Sequence, residues 1–407
     1  MMDRRTLLKN GSMALVGLSV GACARRAEMR VTTPRRPRVN LAPVRVSWDR
    51  VIRTTVGLRP HRDSGFVLKA EAFDGKTVIH NYGHGGAGMS LAWGTGLMAT
   101  ELALQHLDRR LAVLGCGSVG LTAARQAQRR GFDVTIYTMS VPPDTTSNMS
   151  MAGFTPVSGL ISPERRTPEW DAQFRRAAEI SYRELQLLAG REYGVYWIDG
   201  YSATDNPTQT QGGRGGDTGD LLPDHLRTNR HREVLGPGEH PFPSKYAVRT
   251  PNLSIEPSIY LDTLVRDFVR YGGKIVIRRF DTPRDLMSLT EPVIINCTGL
   301  GAKKLFNDEE LVPVKGQLTF LVPQSEVTYR MSGAGGMNPR NDGIVIGNLM
   351  DRGNWSLEPD PDVRKRVVEN AMQFFAAMRP AIVGTPLTRS SAPSVAPALD
   401  SFFSFES

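Results

Sequence analysis

The stretch LAVLGCGSVGLTAARQAQ, residues 111–128, decides the fold. Leu111-Ala112-Val113-Leu114 is a run without a polar residue, the pattern of a short strand buried on both faces. Gly115-Cys116-Gly117-Ser118-Val119-Gly120 follows at once, Leu121 to Arg130 reads as a helix, and Asp133 to Tyr137 supplies the next strand. A Gly-x-Gly-x-x-Gly turn inside such a strand–helix–strand unit is the context in which the motif binds a dinucleotide. Gly115 permits the tight turn, Gly117 lets the backbone approach a pyrophosphate, and Gly120 lets helix and strand pack closely. Ser118 and Val119 open the helix, whose free N–H groups carry about half a positive charge toward the phosphates. An acidic residue for the ribose hydroxyls is expected after the second strand. Tyr137-Thr138-Met139-Ser140 stands there instead, so ribose recognition has to come from elsewhere, from Ser140 or a backbone group.

Upstream lies a second glycine-rich turn, HNYGHGGAG, residues 80–88, opening a helix from Gly88 to Arg110 with Leu91, Met98, Leu102 and Leu107 on one side. Gly85, Gly86, Ala87, Gly88, Met89 and Ser90 would form a second ring of backbone amides. Aimed at the N1–C2=O edge of an isoalloxazine, such a ring stabilises the negative charge that appears there on reduction. Val67 to Ala70 and Thr77 to His80 flank the Asp74-Gly75 turn as a hairpin. Further helices are expected at Pro168–Leu188, Tyr260–Tyr271 and Asp362–Met378. Further strands are expected at Lys274–Ile277, Val293–Ile295, Gln317–Val322 and Gly343–Ile346.

With these readings in place, the sequence resembles the D-amino-acid oxidase family. The resemblance is carried by Gly57-Leu58-Arg59-Pro60-His61-Arg62, by His80 to Gly86, by Trp93-Gly94 and by the glycine fingerprint. It continues in Thr145-Thr146-Ser147 leading to Ala152-Gly153, in Gly200-Tyr201, Tyr260-Leu261, Asn296-Cys297-Thr298-Gly299, Lys315-Gly316-Gln317 and Gly353-Asn354-Trp355-Ser356. It implies an α/β fold: an FAD-binding Rossmann-like parallel sheet with a mixed or antiparallel substrate domain. FAD would be held by the two glycine turns and by Thr145, Thr146, Ser147, Ala152, Gly153, Thr298 and Gly299. Arg59 would hold a substrate carboxylate, for which a planar two-pronged donor is suited. The implied reaction is oxidative deamination of a D-amino acid or related amine, by hydride transfer from the α carbon to flavin N5. Oxygen or a quinone would then accept the electrons. The family's two substrate tyrosines fall on Ser332 and Gly336, so Tyr329 or Tyr201 is expected to reach in from nearby. Without them, the alternative is an FAD-binding module with lost or altered catalysis.

In the family the Arg-Pro and Gly-His-Gly-Gly segments come last, whereas here they precede the fingerprint. The chain therefore reads as a circular permutant in which Asp108-Arg109-Arg110 joins the family's last helix to its first strand. This organisation gives an FAD-binding part at 46–160 and, at 161–378, a substrate part interleaved with the rest of the FAD-binding part.

The net charge of +9 does not mark a nucleic-acid-binding face. Residues 1–40 hold nine cations against Asp3 and Glu28, a surplus of seven, which leaves about +2 for the rest. Those residues read as an address. Arg4-Arg5 fits a twin-arginine export signal, and Met13 to Val20 is much shorter than the roughly 20 residues of a membrane span. Val20-Gly21-Ala22-Cys23 resembles a lipobox, which predicts a periplasmic lipoprotein anchored through Cys23. Residues 1–29 form the signal, 30–45 a Pro/Arg-rich tether and 379–407 a Pro-rich tail. Cys116 and Cys297 fall in buried strand-to-loop contexts, and no Cys/His spacing forms a metal site.

Overall fold

The computed structural model of the chain describes residues 39–208, 221–227, 231–333, 336–347 and 349–379. From the N-terminal side come β1 (Val51–His61), the hairpin β2 (Val67–Phe73) and β3 (Lys76–Tyr82), helix α1 (Gly88–Ala103), β4 (Arg110–Leu114), α2 (Ser118–Gln128), β5 (Asp133–Thr138) and α3 (Pro168–Leu187). Next are β6 (Val195–Thr204), β7 (Glu233–Leu235), β8 (Tyr246–Ile255), α4 (Pro257–Arg270), β9 (Lys274–Ile277), β10 (Val293–Asn296) and α5 (Gly301–Leu305). The last are β11 (Val312–Leu321), β12 (Arg330–Ser332), β13 (Met337–Arg340), β14 (Gly343–Ile346), β15 (Asp351–Arg352) and α6 (Pro361–Ala376).

Two sheets result. The smaller has the order β2-β3-β10-β4-β5-β9 and is parallel throughout except for the β2–β3 hairpin. Every residue of β10 and the last four of β4 are buried, as expected for parallel strands covered on both faces. One face packs on α1 and α2 through Leu91, Leu121 and Ile295, and the other covers Ala112, Ile294 and Leu305. The larger sheet has the order β1-β11-β14-β13-β12-β6-β8-β7, with β15 beside β11. It is antiparallel apart from the β12–β6 pair.

Several expectations change. β1, placed by sequence in the nucleotide-binding part, joins the larger sheet, while β9 and β10 from far along the chain complete the smaller one. Helix α1 stops at Ala103, and Leu107 is 99% exposed. The chain has to turn there to enter β4, a turn fixed where Asp133 N–H donates to the Arg109 carbonyl (2.8 Å). The tether assigned to residues 30–45 ends earlier: Leu41 and Val44 are buried in a cluster with Met331 and Phe375, which offers them apolar surface to cover. β6 and β8 pair over ten residues although their sequences carry no strand signal, because Gly200, Pro251 and mixed polarity break the alternation that marks a half-buried strand. Cys23, the export signal and residues 380–407 of the tail lie outside the described residues. No helix among the described residues is long and apolar enough to cross a membrane.

Candidate active site

The turn after β4 is built for a close approach. Gly115 (φ 103°) donates its N–H to the Tyr137 carbonyl of β5 at 2.8 Å. A Cβ at Gly115 would come within 2.7 Å of the Cys297 carbonyl oxygen after β10, so only glycine threads between these strands. At Gly117, by contrast, a Cβ would meet only the Ser147 hydroxyl, at 3.1 Å. That side of the turn is open, as a phosphate cradle requires. Ser147 Oγ accepts from the Ser118 N–H at 3.0 Å and donates to Ser118 Oγ at 3.2 Å, tying the Thr145-Thr146-Ser147 loop to the start of α2.

The second glycine turn converges on the first. Gly85 N–H donates to the Pro60 carbonyl (2.8 Å), which fixes this turn beside Arg59. A Cβ on Gly88, the first residue of α1, would lie 3.8 Å from Ser118 Oγ and 3.9 Å from Val119 Cγ2. The N-terminal turns of α1 and α2 therefore meet. Both line one cavity of about 500 Å³, within the usual size of a ligand cleft.

Of the residues the sequence singled out, Arg59, Gly85, Gly86, Gly88, Met89, Gly115, Gly117, Ser118, Val119, Thr145, Thr146, Ser147, Thr298 and Gly299 line this cavity. Ala87, Ser90, Gly120, Ala152 and Gly153 are not among its lining residues. Ser90 Oγ donates to the Gly153 carbonyl (2.9 Å) and accepts from Thr155 N–H (2.8 Å), pinning a segment in which Ala152 has φ 49°. A Cβ at Gly120 would overlap the Gly115 carbonyl.

Arg59 lies across β11. Its Nη1 and Nη2 would be 2.5 and 2.8 Å from a Cβ at Gly316, so the missing side chain there makes room for the guanidinium. Nη1 also donates to the Leu349 carbonyl at 3.5 Å. His84, which lines the cavity too, stacks on Phe66 (5.3 Å) and sits 3.1 Å from Thr95 Oγ1. Burial pushes its pKa down to about 3, so the imidazole is neutral near pH 7. The positive end facing the cavity here is thus the helix terminus and not an imidazolium.

Tyr201 and Tyr329, expected to reach into the site, do not do so. Neither is among the residues lining the cavity. They are buried in the second apolar cluster, edge-to-face at 5.9 Å, and the Tyr329 hydroxyl donates to the Ala42 carbonyl at 2.9 Å. That cluster satisfies both the rings and the Tyr329 phenol away from the cleft. Ser332 Oγ donates to the Tyr201 carbonyl at 3.3 Å, whereas Ala334 and Gly335 lie outside the described residues.

Sequence reading missed Asn81, Tyr82, Arg278, Arg279, Asp281 and Lys304, all of which line the cavity. The basic pair at the end of β9 carried a signal, since ligands of open parallel sheets bind beyond the carboxyl ends of the strands. Asn81 tests the fit to a ligand. It is fully buried, yet neither Oδ1 nor Nδ2 has a protein partner, an arrangement that costs about 1–3 kcal/mol per group unless a bound molecule satisfies it.

Two amide-bearing helix starts at the carboxyl ends of parallel strands, sharing a cleft with an orphaned amide, define a dinucleotide-binding α/β fold. A family profile described as FAD dependent oxidoreductase matches residues 110–405, and the chain belongs to that family. Its cofactor is FAD. The D-amino-acid oxidase of Streptomyces coelicolor is 29% identical over 307 residues, 70% of this chain and 82% of that protein. The D-aspartate oxidase of Homo sapiens is 25% identical over 281 residues, 68% of this chain and 77% of that protein. Among solved structures, glycine oxidase from Geobacillus kaustophilus aligns with a TM-score of 0.49 and 15% identity, over 67% of this chain and 80% of that one.

Proposed function

We propose that this protein oxidises an amino acid or related amine at the carbon beside its carboxylate. The observation that carries this reading is Arg59, set against Gly316 in the same cavity as the two amide turns and tied to one of them through Pro60. Arg59 fixes the carboxylate by paired charge-assisted hydrogen bonds, which anchors the α carbon beside it so that its C–H can be aimed. FAD, held by the two amide turns and the Thr145-Thr146-Ser147 loop, would supply the two-electron acceptor. The α1 N-terminus stabilises negative charge without any side chain changing protonation, since His84 stays neutral. A substrate amine that arrives neutral needs no general base, and the imine formed hydrolyses in water.

Ser332 and Gly336, where the family's two substrate tyrosines fall, carry no phenol and are not among the residues lining the cavity, and the loss of both phenols supports a substrate bulkier than a compact D-amino acid, or an N-alkylated amine. The same observation favours a second reading, a flavin-binding protein without turnover. Anaerobic addition of D-amino acids, glycine and N-methyl amino acids to the holoprotein separates the two. Bleaching of the flavin absorbance by one or more of them is the expected result; an unbleached flavin across the panel refutes oxidation and leaves the binding module.

We also propose that the chain is a circular permutant of its family, read from the placement of Arg59 and His84 ahead of Arg110, where the family match begins. Twin-arginine export and a lipid on Cys23 would then hold it in the periplasm, with oxygen or a membrane quinone as electron acceptor. Recovery of a Cys23→Ser protein in the membrane fraction, as for the native chain, would refute the anchor.

A further inference from the structure

The end of β5 lacks the acidic residue that usually takes the ribose hydroxyls of a bound dinucleotide. The structure shows what stands next to that gap. β9 is the parallel neighbour of β5, with Thr138 opposite Ile277, and Arg278 N–H donates to the Thr138 carbonyl at 2.8 Å. The chain leaving β9 therefore runs alongside the chain leaving β5, one strand spacing of about 4.8 Å away. Asp281 lies on that departing segment. It lines the cavity together with Met139 and Ser140, and among the described lining residues it is the only carboxylate.

From these placements we infer that Asp281 accepts the hydrogen bonds of the adenosine ribose of FAD, one strand over from the usual position. Its surroundings hold it ready. Arg279 Nε (3.0 Å) and Lys304 Nζ (3.0 Å) both donate to Oδ1, while no hydrogen bond engages Oδ2 among the described residues. Asp281 N–H donates to Asp285 Oδ2 at 2.8 Å, which fixes the backbone of the turn. The two cations also keep the carboxyl ionised, its pKa lying below the ordinary value. A carboxylate oxygen can accept from both vicinal hydroxyls, and such O–H···O⁻ bonds are about twice as strong as neutral ones. The local competitors are weaker. The Thr138 hydroxyl is spent on the Ser140 carbonyl (2.7 Å), and Ser140 offers one neutral hydroxyl.

The inference is independent of which amine is oxidised and is tested without turnover. Apoprotein is titrated with FAD and with FMN, which lacks the adenosine, and binding is read from quenching of flavin fluorescence. Asp281→Asn should weaken FAD about tenfold to a hundredfold, the range for losing hydrogen bonds to a charged acceptor, and leave FMN unchanged. An FAD analogue with a 2′-deoxyadenosine ribose should lose about tenfold on the native protein and nothing further on Asp281→Asn. Unchanged FMN binding and an unchanged apoprotein Tm exclude a folding defect. FAD binding within threefold of native in Asp281→Asn overturns the inference, as does an equal loss of FMN; a large loss in Ser140→Ala alone would assign the ribose to Ser140 instead.

Discussion

Replacing Gly316 by alanine isolates the role of Arg59 without touching it. Gly316 is on β11, opposite Gly57 of β1, and it is not one of the glycines with positive φ, so its backbone accepts a side chain. A Cβ there would be 2.5 Å from Arg59 Nη1 and 2.8 Å from Nη2. Ordinary contact is about 3.5 Å, so the guanidinium has to move by about 1 Å. Displacement on that scale costs roughly a hundredfold in a pre-aligned site, equivalent to about 2.8 kcal/mol. The loss should appear as a raised KM for carboxylate-bearing substrates, and as weaker binding of acetate seen through the flavin spectrum. An amine without a carboxylate should bind as before. Stability should hold or rise, because glycine in a strand is worth about 0.5–1 kcal/mol less than alanine. Arg59→Leu should give a larger loss in the same direction, with FAD retained. Carboxylate affinity in Gly316→Ala equal to native, with Tm and FAD content intact, would refute the placement of the guanidinium at the substrate.

Two further outcomes follow from buried groups. Tyr329→Phe removes the hydrogen bond to the Ala42 carbonyl and should cost about 1 kcal/mol in denaturant unfolding, with kinetics and flavin spectrum unaltered; a changed KM would return Tyr329 to the site. His84 should make stability depend on pH. The unfolded imidazole takes up a proton below about pH 6.5, whereas burial makes the folded one refuse it down to about 3. The unfolded state therefore binds more protons in that window, and the contribution, complete above pH 6.5, is lost as pH falls toward 3. At pH 5 the native protein should have lost about 2 kcal/mol more than His84→Gln relative to pH 7. Equal losses in urea unfolding at the two pH values would show that His84 is not the buried neutral group described here.

By itself the sequence determined the nucleotide-binding unit. β4, the glycine turn, α2 and β5 are legible because each signal is local: an apolar run, glycines at fixed spacing and a helical period within some thirty residues. The second glycine turn and the β2–β3 hairpin were legible for the same reason. Only the tertiary structure decided which side chains share the cavity. Arg59 faces it because β1 pairs with β11 some 250 residues away and Gly316 leaves space, and Asp281 reaches it because β9 lies beside β5. Tyr201 and Tyr329, plausible by nearness in sequence, are taken instead by an apolar cluster that Leu41 and Val44 help to build. Turn chemistry acts on neighbours along the chain. Strand register and competition for buried surface act between segments that the sequence keeps far apart, and they decide where a side chain finally points.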